Sequence, residues 1–333
     1  MANCIVTGGA GFIGSHLASA LINCGHNVTI IDDLSLGHLE ENICAANIIS
    51  SRLEDITEET FSNIDVVFHL ASISGVAISL YSPSNCFARN IDAGNNVVKN
   101  CILAGVKRLV FTSSMAVYGD KLSPPFSETD ICQPSEPYGL SKLTIEKLIQ
   151  IYADNSGLEW SILRLHNVYG PGFNLTDPYR GVIGIMINML LKGKGPVIYG
   201  DGTQLRAFSY VEDIIPCIIK AGFSKKCNKE IINLGSGKTF SIMELIHLIE
   251  NVRKFKEKAI FYPERRGEPK IAYTTTLKSE QLLSFSEKTS LQEGLYKTIE
   301  WAQEQSIEEF NYNLMDIEIN IESLPESWKN RIL

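Results

Sequence analysis

Tyr138-Gly139-Leu140-Ser141-Lys142 sets a phenol and an ammonium four residues apart, directly after Pro137. Proline is tolerated in the first turn of a helix, and Leu143, Ile145, Leu148, Ile149 and Tyr152 continue with helical spacing. Residues four apart share a helix face, so Tyr138 and Lys142 can act on one substrate. A neighbouring ammonium favours the phenolate, which brings a weak acid toward useful base strength at neutral pH. Any amphipathic helix can carry such a pair, so its weight depends on the elements that position it.

Those elements read as alternating strands and helices. Residues 3–7 form a buried strand that runs into Gly8-Gly9-Ala10-Gly11-Phe12-Ile13-Gly14, then a helix to about residue 23, ended by Gly25. Gly8, Gly11 and Gly14 fall as G-x-x-G-x-x-G. Such glycines permit a tight turn, let a pyrophosphate approach the backbone, and aim a helix N-terminus at its charge. The next strand, 28–31, ends at Asp32, close to the spacing at which a carboxylate meets the adenosine ribose hydroxyls. That carboxylate repels a 2′-phosphate, so NAD is expected rather than NADP. A third strand, 48–50, leads to Asp55 and Ile56, placed to meet the adenine. The fourth, 66–71, is apolar as a strand buried on both faces should be, with His69 near its end as a structural histidine. Residues 85–104 read as a helix. The fifth strand, 108–112, brings Ser113 and Ser114 to its C-terminal end, where open α/β sheets place ligands.

Composition narrows the class. The chain has 333 residues, 44% of them hydrophobic and 20% charged, as in a soluble globular protein of two lobes. A net charge of -8 argues against a nucleic-acid partner. The longest apolar stretch, 182–191, is too short to span a membrane. No basic leader precedes the first strand, and the eight cysteines include no C-x-x-C, so a reduced cytoplasmic location is expected and neither metal nor disulfides are.

With Gly8 through Gly14, Ser114, Tyr138-x-x-x-Lys142 and the later Tyr199-Gly200-Asp201-Gly202 in this order, residues 1–303 resemble an extended short-chain dehydrogenase/reductase. The nearest group is the nucleotide-sugar epimerases of the UDP-glucose 4-epimerase type. The resemblance implies a Rossmann-type, doubly wound parallel α/β sheet with a smaller mixed α/β substrate lobe. The NAD-binding domain would cover 1–165 and 207–235, the substrate lobe 166–206 and 236–303. Residues 304–333 would be an acidic extension, packed on the surface or used in association. It further implies NAD contacts from Phe12, Ile13, Asp33, Ser35, Leu70, Ala71, Ser72, Asn90, Ser113 and His166, beside Tyr138 and Lys142. For a UDP-sugar it implies Ser114, Asn167, Val197, Tyr199, Arg206 and Arg266, the two arginines gripping the diphosphate with their guanidinium forks. Ala207 departs from the family's usual Asp after the first arginine. By analogy the chain would form a homodimer through a four-helix bundle built from the helices at 85–104 and 138–155.

The implied chemistry is 4-epimerisation through a transient 4-keto sugar. Tyr138 would take the proton of the sugar 4-hydroxyl as C4 gives up hydride, Lys142 and the oxidised nicotinamide would hold the Tyr138 pKa down, and Ser114 would hydrogen-bond the reacting oxygen. Family branches that eliminate water or carbon dioxide carry acids beside Ser114. This chain has Met115 and Ala116, which cannot move a proton. Glucuronate-using relatives often have a basic residue where Ala77 stands. A gate to the sugar 2-substituent, counted seven residues past Arg266, falls on the bulky Tyr273. Both point to UDP-glucose and UDP-galactose. UDP-N-acetylglucosamine and UDP-glucuronate are the alternatives, and from another class a non-catalytic NAD-binding regulator.

Overall fold

Cys4 and Val6 of β1 (Asn3–Thr7) pack against Leu17, Ala18 and Leu21 of α1 (Phe12–Asn23), whereas Ile5 between them joins the core on the opposite side. A strand covered on both faces can spare no position for a polar side chain, which is why the run is continuously apolar. The structure, a computed structural model, describes residues 1–37, 43–120, 123–252, 257–265, 268–306, 308–319 and 321–333.

The chain continues through β2 (Asn27–Asp32), β3 (Asn47–Ser50) and β4 (Val66–His69). α2 (Val76–Ser79), α3 (Pro83–Phe87) and α4 (Ala93–Leu103) follow, the last two joined by a π-helical segment at Ala88–Asp92. Next come β5 (Arg108–Ser114), α5 (Pro137–Ser156) and β6 (Glu159–Leu165). It then leaves for a second layer through β7 (Asn167–Tyr169), α6 (Val182–Leu191), β8 (Val197–Tyr199) and β9 (Leu205–Tyr210). α7 (Val211–Phe223) and β10 (Glu230–Leu234) bring it back. The second layer is completed by β11 (Thr239–Ser241), α8 (Ile242–Val252), β12 (Ile260–Tyr262) and β13 (Ile271–Ala272), and then α9 (Leu277–Leu283), α10 (Leu291–Glu304) and α11 (Glu326–Lys329).

Seven strands form one parallel sheet in the order β3-β2-β1-β4-β5-β6-β10. α1 and α7 cover one face, α4 and α5 the other. Strand order reverses between β1 and β4, which opens a crevice at the C-terminal strand ends. This is the doubly wound α/β architecture the sequence implied. In the smaller layer β9 pairs with β7, β11 and β13. Behind it, side chains of α6, α8 and α10 share a core that includes Met186, Leu245 and Leu295.

One expectation shifts. Residue 207 was to begin the return to the large sheet, but β9 carries on in the small sheet to Tyr210 and the return begins with α7. The segment beyond α10 was expected to pack on the surface or to serve association. Phe310, Met315, Trp328 and Leu333 pack it onto the body in one cluster with Ile73, Ile78, Tyr81 and Tyr179, while most of its other described residues are exposed or half-buried. Each side chain buried in that cluster stabilises the fold by roughly 1.5–3 kcal/mol.

Candidate active site

One cleft of ≈ 620 Å³ runs along the C-terminal ends of β1, β2, β4 and β5 and continues under the small sheet. Its first half is built on the turn between β1 and α1. Gly8 has φ +70°, and a Cβ there would lie 2.7 Å from the Ala71 backbone. At Gly14 a Cβ would lie 2.0 Å from the Gly8 carbonyl. Only glycine lets strand, turn and helix close this tightly, and the first turn of α1 then faces the cleft with its amides.

Gly11, Phe12, Ile13, Asp32, Asp33, Ser35, Leu70, Ala71, Ser72 and Ser113 line the same half. The Asp32 carboxylate is held by the amides of Ala10 (3.0 Å) and Leu34 (2.9 Å). Asp33 accepts from Ser35 Oγ and pairs with Arg89. Three residues assigned here from the sequence do not reach the cleft. Asp55 sits in a short 3₁₀ turn, Ile56 is buried in the core under α4, and Ser51 through Glu54 line the wall instead. Asn90 is consumed internally, accepting from the Ile73 amide (2.7 Å) and donating to Ser141 Oγ (2.9 Å). A polar side chain that holds a loop on a helix and one that holds a ligand look alike in sequence.

At the centre of the cleft, β5 and α5 bring Ser114, Tyr138 and Lys142 together. Glu136 caps α5 by accepting the Gly139 amide (2.9 Å), and Tyr138 N donates to Ser79 Oγ (3.2 Å), which fixes the first turn. One turn beyond Lys142, Glu146 meets Arg164 of β6 at 2.7 Å and accepts from Ser113 Oγ at 2.5 Å, clamping α5 onto the sheet. Ser114 Oγ accepts the Ala116 amide (3.2 Å) and its hydroxyl bonds the Tyr138 phenol. Lys142 Nζ donates to Thr112 O at 2.9 Å and lies 5.9 Å from the centre of the Tyr138 ring.

The electrostatics of the chain alone set the starting point for Tyr138. Desolvation pushes the Tyr138 hydroxyl above its ordinary value, and the groups that pull it back are the Ser114 hydroxyl and the Arg180 guanidinium. Burial also lowers Lys142 from 10.5 to about 7, so the ammonium is weakened as a partner. The chain's own groups therefore favour a neutral phenol. The two histidines are neutral too. Burial lowers His166 to about 4, with its ring between Ser236 O and Thr274 Oγ1, and lowers His69 to about 3, with Thr7 Oγ1 at 2.7 Å. His166 lines the cleft, but its nitrogens are committed to the fold.

The far half is cationic. Arg206 on β9 and Arg265 both bond Glu268, at 3.2 and 3.0 Å. Burial would raise that carboxyl, but the two guanidiniums hold it below its ordinary value. Asn167, Val197 and Tyr199 line this half, and Asn167 donates to Ala207 O (2.9 Å). Arg266 lies outside the described residues; its neighbour Arg265 lines the cleft. Seven residues past Arg265 is Ala272, which also lines the cleft, whereas Tyr273 does not. A count from Arg265 thus ends on a methyl group in the cleft wall, where the count from Arg266 ends on Tyr273. Sequence reasoning also missed Glu268 and Arg180, the latter paired with Asp177 in the cleft wall. Neither belongs to a recognisable spacing.

Among the described residues no group of three His, Cys, Asp or Glu could hold a metal, and no helix is long and apolar enough to cross a membrane. Residues 4–235 match the NAD dependent epimerase/dehydratase family. A putative UDP-glucose 4-epimerase of Methanocaldococcus jannaschii is 35% identical over 89% of this chain and 97% of its own. A UDP-N-acetylglucosamine 4-epimerase structure from Methanobrevibacter ruminantium, in complex with UDP-N-acetylmuramic acid, superposes with TM-score 0.86 at 35% identity, over 92% of this chain and 99% of that one. A UDP-glucuronic acid 4-epimerase structure from Bacillus cereus, in complex with UDP-glucuronic acid and NAD, gives TM-score 0.83 at 31% identity, over 90% and 99%.

Proposed function

Because this chain belongs to the NAD dependent epimerase/dehydratase family, we propose that it is a UDP-sugar 4-epimerase that interconverts UDP-glucose and UDP-galactose. What carries this reading is the placement of Ser114, Tyr138 and Lys142 between a dinucleotide cradle and an arginine-lined half of one cleft. The cradle fits NAD: glycines packed too closely for any Cβ, helix amides facing the cleft, and the Asp32 carboxylate at the end of β2. When bound, NAD would supply a hydride acceptor and donor for the sugar C4 and, oxidised, a positive charge that favours the ionised form of Tyr138.

The protein's own residues do the rest. Gly11 and the α1 amides hold pyrophosphate, and Asp32 orients a ribose. Ionised in the presence of that positive charge, the Tyr138 phenolate Oη takes the proton of the sugar 4-hydroxyl and later returns it, hydrogen-bonded to Ser114. Lys142, tied to Thr112 O, stands on the same side of the helix as the phenol. Arg206 and Arg265 fasten the diphosphate, so the sugar ring can turn over without leaving. Met115 and Ala116 line the site at the positions beside Ser114 and cannot themselves move a proton for elimination or decarboxylation. Arg180 is neutralised by Asp177, so a C6 carboxylate finds no unpaired cation there.

One observation favours a second substrate. With Ala272 rather than Tyr273 in the cleft wall, an N-acetyl group on C2 meets no bulky gate, and UDP-N-acetylglucosamine becomes a candidate. Incubation with a panel of UDP-sugars and no added NAD, read by sugar composition, tests both. Interconversion of glucose and galactose forms is the expected result; turnover of the N-acetyl pair alone would move the assignment to it. No turnover of any sugar by protein that retains NAD would instead favour a non-catalytic NAD-binding protein.

Support for a homodimer lies on the outer helices. Leu103 is 61% exposed on α4, and Leu140 and Ile151 are 46% and 58% exposed on α5. These helices form the two-helix layer that a four-helix bundle between copies would use.

A further inference from the structure

The segment after α10 reaches the substrate half of the cleft. Glu318 ties it to the start of α3, accepting from the Ser84 amide (2.8 Å), the Asn85 amide (2.9 Å) and Ser82 Oγ (3.1 Å). Tyr81 Oη donates to Ser323 O (2.9 Å), and Tyr179 Oη to Tyr312 O (2.8 Å). The Trp328 ring then packs edge-on against Tyr179 at 5.0 Å and Tyr81 at 5.9 Å. Hydrogen bonds and ring packing thus hold the segment to the body of the molecule.

Its last turn touches the residues assigned to the nucleotide diphosphate. Ser327 Oγ bonds Tyr199 Oη. The Arg265 guanidinium lies 4.2 Å over the Tyr199 ring and 5.7 Å from the Trp328 ring centre. Leu333, 3% exposed, forms part of the cleft wall beside them. An arginine between two aromatic faces loses rotamer freedom before any ligand arrives, so less entropy is lost on binding.

We infer that residues 310–333 are a working wall of the nucleotide-diphosphate subsite, orienting Arg265 and Tyr199 through Trp328 and Ser327 and so setting affinity for the UDP moiety. The inference rests on the UDP-sugar reading and adds positioning residues to it. The contacts above go to Tyr199 and Arg265 and not to Ser114, Tyr138 or Lys142, so the segment acts on binding and leaves the proton transfer alone.

The test is calorimetric titration of the full-length protein, carrying its NAD, with UDP, which needs no knowledge of the sugar. Trp328→Ala should raise the Kd for UDP about ten-fold and KM similarly, with kcat within about two-fold of the parent. Ser327→Ala, which keeps the packing and removes only the hydroxyl at Tyr199, should raise Kd about three-fold. If Trp328→Ala does not fold, Ser327→Ala decides alone. Equal UDP affinity in parent and folded variants overturns the inference, as does a fall in kcat at unchanged Kd. A parent protein that does not bind UDP overturns the nucleotide-sugar reading and the inference with it.

Discussion

Lys142 and Glu136 sit in the same first turns of α5 with pKa values moved toward each other. Burial lowers the lysine from 10.5 to about 7 and raises the carboxyl from 4.5 to about 7. Between pH 4.5 and 7 the folded protein holds a proton on Glu136 that the unfolded chain has lost, so the contribution of this group falls as pH rises. Buried His69 and His166 act the other way up to pH 6.5, because the unfolded chain keeps protons there that the folded one has lost. Between 7 and 10.5 the unfolded chain keeps the Lys142 proton that the folded one has lost, so stability rises. In urea denaturation across pH, Glu136→Gln should steepen the gain in stability between 4.5 and 7 and leave the rise above 7 unchanged; an identical profile in the variant would mean that the carboxyl is not shifted. Tyr138→Phe removes the proposed base and should cut epimerisation by roughly 10²–10⁴-fold, with UDP affinity unchanged. Full activity in that variant would mean another group moves the proton. Tyr138 and Lys142 were legible as a pair because they stand four residues apart, and Ser114 because it ends an apolar strand. The direction of the Tyr138 shift was not, since desolvation depends on side chains distant in sequence.

At the scale of elements, α5 is held to the sheet by a buried charge pair. The Arg164 and Glu146 side chains are 3% and 0% exposed, with Ser113 and Tyr118 completing their hydrogen bonds. Glu146→Ala leaves the guanidinium without a counter-ion and should cost about 3–5 kcal/mol in a denaturation experiment. Because Lys142 lies one turn away, activity should fall as well. A loss below about 1 kcal/mol would mean that the pair is not what fixes the helix. The strands were readable from apolar runs, and the first glycine turn from its spacing. The passage from β9 to α7 was not, because β9 is buried like any strand of the large sheet and only its partners show which sheet it joined.

For the whole molecule, the exposed side chains of α4 and α5 form the face proposed to pair two copies. Sedimentation should give a dimer, and Leu103→Glu with Ile151→Glu should give a monomer that still binds NAD; an unchanged dimer would place the interface elsewhere. The order of elements foretold the large sheet. Where residues 310–333 go could not be foretold, since their scattered Leu, Ile, Trp and Tyr match no helix or strand period and find their places against Ile78 of α2, Met189 of α6, Val197 of β8 and the loop residues Tyr81 and Tyr179.

Glu268 gives the cleft an internal counter-ion. Set between Arg206 and Arg265, it keeps two like charges from pushing each other aside when no phosphate is near. An arriving UDP-sugar thus meets forks that are already aimed, and a departing one leaves no collapse behind it. The same carboxylate also competes with the phosphates for those forks, so the grip is loosened in proportion. An enzyme whose reaction runs both ways gains from such moderation, because a product held as tightly as the geometry allows would be slow to leave.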